Sequence, residues 1–395
     1  MRLHLFSIPP IFNISRRYIL EEQLIQHLKD LVSINSVNPD LSKLGQGEKQ
    51  IAEFVHNHFT KLNIESKVHI IKDDRCNTTA FLKGNNPEKI LLLNGHLDTV
   101  GIEDMKDPFI LKNDGDHLYG RGTYDMLAGC AIQMALATFF SKTPCPISLA
   151  FTFVADEENM SMGMEHLIEH YLPTLPSKPF LGIFMEPTEE AIGTSHKGYS
   201  WYELKIEGLA AHGSRPEQGI NAIFPMEHAL SELSKINKEL LDEEPHPHLG
   251  HATLHPGMIS GGTAKSVIAS ESNIKWERRT LPGESKQKLD DELQRVISAV
   301  LKAPGDHKVT GSQVYNRPPN EVKNHSTIET LRKVAGNKDY NGMSYWADSA
   351  LATMAGIPSI LFGPAGHGAH AIDEWVSKES MLNCYKTMKK FILEL

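Results

Sequence analysis

Short runs of apolar residues alternate with segments of helical spacing along the first half of this 395-residue chain. The apolar runs lie at 90–93, 148–154 and 180–185, with a fourth near the C-terminus at 357–362. Segments with apolar residues at helical spacing lie at 19–34, 48–62 and 128–140. Fully apolar strands that alternate with helices are typical of a parallel sheet covered on both faces. The predicted fold class is α/β, with a mostly parallel sheet and helices on both faces.

The middle of the chain has a different pattern. Segments 200–207 and 274–279 alternate apolar and polar residues, which predicts half-exposed strands, and segments 222–241 and 285–301 have helical spacing. A loop rich in Pro, His and Gly is expected at 243–257. Together these elements predict a small α+β domain inserted at 198–315. Residues 1–197 and 316–395 would then form one discontinuous domain.

Composition and the N-terminus limit the possible partners and location. The net charge of −9 argues against nucleic acid or an anionic membrane as a partner. The four cysteines have no metal-finger spacing, which fits a reducing cytoplasm. Prolines interrupt the apolar N-terminus and no small-residue cleavage site follows, so about residues 1–18 are expected to be a loosely ordered extension rather than a signal peptide.

Potential metal ligands follow each apolar run. They are His96 and Asp98 after the first run, Asp156, Glu157 and Glu158 after the second, Glu186 after the third, and His367 and His370 after the fourth. Asp125 follows a Gly-rich turn and precedes a helical segment. Because sites in open α/β sheets form beyond the carboxyl ends of the strands, these five segments are expected to converge at one edge of the sheet.

The chemistry expected at that edge is metal binding. Clustered carboxylates repel one another unless a cation lies among them. Mixed imidazole and carboxylate ligands suit zinc first, with cobalt or manganese as alternatives, better than calcium. Two histidines and three carboxylates exceed the needs of one tetrahedral zinc, so a carboxylate shared between two ions is expected. Two such ions can polarise a carbonyl group and lower the pKa of a bridging water.

Each segment alone has a simpler explanation. A His-x-Asp sequence can be a surface pair, Asp-Glu-Glu a solvated helix start, and Glu-Pro-Thr an ordinary helix entry. The two C-terminal histidines can be solvated residues of a Gly-rich loop. These explanations must hold independently at five segments, so their joint occurrence favours the metal site.

Six motifs occur in an order that resembles a known family. They are HLDTV at 96–100, GRGTYDM at 120–126, DEE at 156–158, EPT at 186–188, AHGSRP at 211–216 and AHAIDE at 369–374. From about residue 20 onward the chain resembles the two-zinc metallopeptidase family of acetylornithine deacetylase, succinyl-diaminopimelate desuccinylase, aminoacylase and carboxypeptidase G. The resemblance implies a phosphorylase/hydrolase-like catalytic domain and an inserted lid and dimerisation domain.

The resemblance also implies a role for each matching residue in the predicted metal site. Asp125 would bridge both metals, His96 and Glu186 would complete one metal site, and Glu158 and His370 would complete the other. Glu157 would be the general base, and the Asp125–Met126 peptide bond would be cis. The carboxylate of Asp98 would accept a hydrogen bond from the second ring nitrogen of His96 and so fix its tautomer.

The implied roles in the inserted domain concern the substrate. His212 would stabilise the oxyanion, from across a homodimer in several relatives, and Arg279 would bind the substrate carboxylate, with Arg278 as the alternative. Ser266 stands where the family's loop usually carries Asn, and a hydroxyl reaches less far than an amide. The substrate pocket is therefore expected to differ from that of a typical deacetylase.

The function predicted from these features is a cytoplasmic, homodimeric, metal-dependent amidohydrolase. It would cleave the amide bond of a small N-acyl amino acid. A dipeptidase or carboxypeptidase with the same two-metal chemistry is the first alternative, and a metal-binding protein without turnover is the second. A serine hydrolase is not favoured, because no Ser flanked by glycines follows a strand.

Overall fold

A computed structural model describes the backbone from Ile11 to Leu395 and the side chains from residue 19 onward. Residues 1–10 of the extension expected at about 1–18 lie outside the described residues, and from Ile11 the backbone is helical. The chain forms two compact units. Of the described residues, unit 1 comprises those up to Thr194 together with 322–341 and 347–395, and unit 2 comprises 195–321 and 342–346.

The helices of the described residues are α1 (Ile11–Val32), α2 (Lys49–Lys61), α3 (Ala128–Phe140), α4 (Met162–His166), α5 (Met226–Asp242), α6 (Lys286–Leu301), α7 (Ser326–Val334), α8 (Ser349–Met354) and α9 (Lys378–Leu393). The strands are β1 (Glu65–Lys72), β2 (Arg75–Leu82), β3 (Asn86–His96), β4 (Lys112–Asp114), β5 (His117–Tyr119), β6 (Ile147–Val154), β7 (Leu181–Phe184), β8 (Ile192–His196), β9 (Gly198–Glu207), β10 (Thr253–Gly261), β11 (Glu271–Thr280), β12 (Lys308–Arg317), β13 (Asn320–Glu321), β14 (Tyr340–Met343), β15 (Ser359–Leu361), β16 (Gly366–His367) and β17 (Trp375–Ser377). Among these helices, none is both long and apolar enough to cross a lipid bilayer.

Unit 1 is built on a mixed sheet with a parallel centre. Its strand order is β1-β2-β6-β3-β7-β15-β8. The central pairs β6 with β3, β3 with β7 and β7 with β15 are parallel, whereas β1 with β2 and β2 with β6 are antiparallel. The carboxyl ends of the four parallel strands therefore meet at one edge. His96, the last residue of β3, pairs with Val154, the last residue of β6.

Both faces of this sheet are buried. Leu91 and Leu93 of β3 lie in a core cluster with residues of α1, α2, α3 and α9. Side chains alternate between the faces of a strand, so Leu92 points to the opposite face, where it is equally buried. The mostly parallel α/β sheet with helices predicted from the apolar runs is confirmed.

Unit 2 contains an antiparallel sheet in the order β10-β11-β9-β12. Alternate residues of β9 and β11, among them Tyr202, Leu204 and Trp276, form a core cluster with α5 and α6. The rings of Tyr202 and Trp276 are stacked at 5.2 Å between centroids. The loop expected at 243–257 ends earlier, because β10 begins at Thr253. Residues 342–346 also join this unit, although the expected insertion was the single segment 198–315.

Candidate metal centre

Three potential metal ligands from different parts of unit 1 lie together. His96 ends β3, Asp125 lies in the turn before α3, and Glu158 lies in the loop after β6. One ligand atom from each of these residues lies within 4.8 Å of the other two. The parallel sheet brings the first and third together, because β3 and β6 are neighbours that end at the same edge.

The two carboxylate oxygens of Asp125 face two different histidines. Oδ1 lies 3.1 Å from His96 Nε2, and Oδ2 lies 3.4 Å from His370 Nε2. The His96 Nε2 also lies 3.9 Å from Glu186 Oε2, whereas the His370 Nε2 lies 2.8 Å from Glu158 Oε2. The cluster therefore contains two imidazole–carboxylate pairs with Asp125 between them.

The electrostatics of the cluster reflect buried acids held close together. Burial raises the pKa of Glu186 to about 8 and that of Glu158 to about 7, and the neighbouring Asp125 adds to both shifts. Burial likewise raises the pKa of Glu157 well above its usual value. Hydrogen bonds to Asp125 and Glu158 raise the pKa of His370 to about 10. A divalent cation would relieve this repulsion between like charges.

The residues of the cluster fit a transition-metal ion. Glu158 Oε1 is buried and makes no hydrogen bond with any described residue, so this oxygen keeps a lone pair for another partner. Two imidazoles and three carboxylates are suitable ligands for zinc, cobalt or manganese. Such a set could serve two adjoining ions, with Asp125 as the carboxylate that both would share.

The prediction that the Asp98 carboxylate accepts a hydrogen bond from the ring of His96 is wrong. The backbone carbonyl of Asp98 is the partner of His96 Nδ1, at 2.9 Å, and the carboxylate lies farther away, at 3.6 Å. The carboxylate instead accepts the backbone N–H groups of Glu157 and Glu158, at 3.1 and 3.2 Å. Because those donors satisfy the buried charge, the side chain of Asp98 holds the turn that carries the two glutamates.

A buried polar network behind this turn was not expected from the sequence. Asn38 Nδ2 donates to Asp98 Oδ2 at 2.9 Å and to Asp156 Oδ1 at 3.0 Å. Arg75 donates to the same Asp156 oxygen at 2.7 Å and binds both oxygens of Glu48. Asn38 and Arg75 belong to no recognisable motif and lie in mostly polar stretches of the sequence, so no local signal indicates that they are buried.

The predicted substrate residues lie in unit 2. The exposed His212 places Nδ1 2.8 Å from the hydroxyl of Ser214, and Ser266 accepts a backbone hydrogen bond from Gly213. Arg279 is half-buried; it pairs with Glu277 at 2.6 Å, and its guanidinium lies 5.4 Å from the Tyr199 ring.

Two other candidates have partners away from the cluster. The alternative Arg278 is fully buried and pairs with Glu284 and Glu292, so its charge is used inside unit 2. In unit 1, the side chain of His367 is exposed and lies 3.9 Å from Asp373. The cluster contains His370 but not His367.

Solved structures share the fold of this chain. A tripeptidase from Staphylococcus aureus superimposes with a TM-score of 0.75 at 19% identity, covering 95% of this chain and 98% of that one. A dinuclear metal-binding peptidase of the M20 family from Bacillus subtilis gives a TM-score of 0.71 at 14% identity, covering 95% and 98%. At such identities these structures show the fold alone.

The family of this chain is identified by a sequence match over most of its length. Residues 92–394 match peptidase family M20/M25/M40, and the chain therefore belongs to that family and is a hydrolase. It is also 27% identical over 380 residues to the acetylornithine deacetylase of Buchnera aphidicola subsp. Schizaphis graminum, covering 93% of this chain and 97% of the relative. The family resemblance stated from the six motifs is confirmed.

Proposed function

We propose that this chain is a two-metal amidohydrolase that releases an amino acid from its N-acyl derivative. The observation that carries the proposal is the position of Asp125, whose two oxygens face one histidine each. His96 and Glu186 would hold one divalent ion, and Glu158 and His370 the other, with Asp125 between them. Such ions, zinc first with cobalt or manganese as alternatives, polarise a carbonyl and make a bridging water more acidic.

The chain's own residues would supply proton transfer and substrate binding. Glu157 is adjacent to the candidate ligand Glu158, and the Asp98 carboxylate accepts a hydrogen bond from the backbone N–H of Glu157. Glu157 is therefore the candidate to take a proton from the attacking water and return it to the leaving amine. In unit 2, His212 would stabilise the oxyanion and Arg279 would bind the substrate carboxylate. The homodimer and the effect of Ser266 on the pocket stay predictions.

The acetyl group and the amino-acid class of the substrate are supported by the deacetylase relatives, which match nearly the whole chain. A peptidase acting on short peptides is the second candidate, because the S. aureus tripeptidase shares the fold over 95% of the chain. Both candidates use the same attack on an amide carbonyl and differ in the group on its acyl side.

The test is a substrate panel of N-acetyl, N-succinyl and N-formyl amino acids beside dipeptides and tripeptides. Turnover is measured on zinc-, cobalt- and manganese-loaded protein and again after chelation. We expect metal-dependent hydrolysis of acylated amino acids. Faster hydrolysis of peptides would favour the second candidate, and no metal-dependent turnover of any amide would refute the proposal.

The base is tested with Glu157→Gln, which keeps the size of the side chain and removes its ability to take a proton. We expect kcat to fall by about 100-fold or more while bound metal stays at the wild-type level. The matched control is Glu169→Gln, a change at an exposed glutamate of unit 1, which should leave both quantities unchanged. Near-normal kcat in Glu157→Gln would exclude Glu157 as the base.

A further inference from the structure

Glu374 accepts four hydrogen bonds from the turn that carries Asp125. Its Oε1 accepts the backbone N–H groups of Tyr124 and Asp125, at 2.9 and 3.1 Å. Its Oε2 accepts the backbone N–H of Gly122 at 2.9 Å and Arg121 Nη1 at 2.8 Å. The residue is 1% exposed, so water does not compete for these four contacts.

Arg121 connects the same turn to the segment that carries His370. Its Nη1 donates both to Glu374 and to the backbone carbonyl of Ala371, at 3.1 Å, and the side chain is buried. Ala371 directly follows His370, and Glu374 lies four residues after it. The pair Arg121–Glu374 thus ties together two segments about 250 residues apart in the sequence, which provide the closely spaced Asp125 and His370.

We propose that Glu374 is a positioning residue that sets the distance between Asp125 and His370, so that the bridging carboxylate is in place before metal binds. The hydrogen-bond partners of Glu374 are backbone N–H groups and Arg121 rather than the side chain of a candidate ligand, so it acts through the backbone of the turn. This proposal rests on the two-metal function proposed above. Residues that orient metal ligands in this way typically contribute 10- to 100-fold to metal affinity or activity.

The informative substitution is Glu374→Gln, which keeps the volume of the side chain. An amide has one oxygen that can accept and one NH2 group that only donates, so it cannot satisfy four donors. The NH2 group would face either the backbone N–H groups or the guanidinium. We expect the turn to shift, and metal affinity to fall 10- to 100-fold together with kcat, while KM stays within about 2-fold.

A loss of general stability must be separated from a loss of positioning. Glu292→Gln is the matched control, because Glu292 is also a largely buried carboxylate bound to an arginine, Arg278, but lies in unit 2. Both variants should be less stable in urea. Only Glu374→Gln should bind cobalt more weakly in a direct titration. Its cobalt-loaded form should also have a visible spectrum that differs from that of the wild type, whereas Glu292→Gln should keep the wild-type spectrum.

Arg121→Lys is a second variant if Glu374→Gln does not fold. Lys keeps the charge but lacks the planar guanidinium that reaches both Glu374 and Ala371, so we expect a smaller decrease in cobalt affinity in the same direction. Wild-type cobalt affinity and spectrum in either folded variant would overturn the positioning role. Failure of the wild-type protein to bind two metal ions would instead refute the proposed function, so the two failures are distinguishable.

Discussion

Asn38 separates two buried carboxylates behind the candidate metal ligands. Its single NH2 group donates to both Asp98 and Asp156, and all three side chains are inaccessible to solvent. We expect Asn38→Ala to lower the free energy of unfolding by about 1–3 kcal/mol or more, because it leaves charged acceptors without that donor. Urea unfolding at neutral pH measures the loss.

The control for this change is Asn113→Ala on an exposed strand of unit 1, where we expect a change within about 0.5 kcal/mol. Equal stabilities of the two variants would mean that water or a shift of the acids compensates for the lost amide. Because Asp98 holds the backbone of Glu157 and Glu158, Asn38→Ala should also lower kcat.

At this residue scale the sequence indicates some positions and not others. His96, Glu158 and Glu186 can be predicted because each lies at or just after the end of an apolar strand, and the edge of a parallel sheet brings such positions together. Asn38 lies 118 residues from Asp156 and could not be found, since no local pattern encodes a contact at that separation. The partner of His96 Nδ1 depends on the orientation of one carbonyl group, which sequence spacing does not specify.

Among the elements, α3 has a position where close packing leaves room only for glycine. Gly129 lies in its first turn, where a Cβ atom would come within 2.2 Å of the backbone oxygen of Met185. Ala is favoured over Gly in helices by about 1 kcal/mol, but this contact is with the backbone and cannot be relieved by rotating a side chain. We expect Gly129→Ala to destabilise unit 1 by about 1–3 kcal/mol net.

Urea unfolding of Gly129→Ala beside Gly257→Ala tests this expectation. A Cβ atom at Gly257 would meet no atom within 4 Å, so that variant should unfold within about 0.5 kcal/mol of the wild type. Increased stability in Gly129→Ala would show that the end of β7 moves away at little cost and that helix propensity outweighs packing.

The elements differ in how well their sequences predict them. The helical spacing at 128–140 gives the bounds of α3 because its residues are buried almost throughout and contain no proline. The strand β1 was not predicted, since its polar residues alternate irregularly and it lies at the edge of the sheet. Partial exposure at an edge removes the apolar signal that identifies central strands.

For the molecule as a whole, we expect the carboxylate cluster to couple stability to metal binding. The carboxylates of Asp125, Glu158 and Glu186 repel one another in the folded state, whereas the unfolded chain separates them. Metal that binds only the folded protein stabilises it by about 2.7 kcal/mol at 100 times its dissociation constant. We therefore expect zinc or cobalt to raise the midpoint of thermal unfolding by several degrees and EDTA to reverse the rise.

Asp125→Asn, which weakens the shared ligand, should abolish most of this shift, whereas the unit 2 variant Glu292→Gln should retain it, although its own midpoint is lower. Calcium prefers ligand sets made only of oxygen and should give a smaller shift than zinc. If scanning calorimetry gave the same curves with metal and with EDTA, the acids would have to be held together by protons or water, and the cluster could not be a tight metal site.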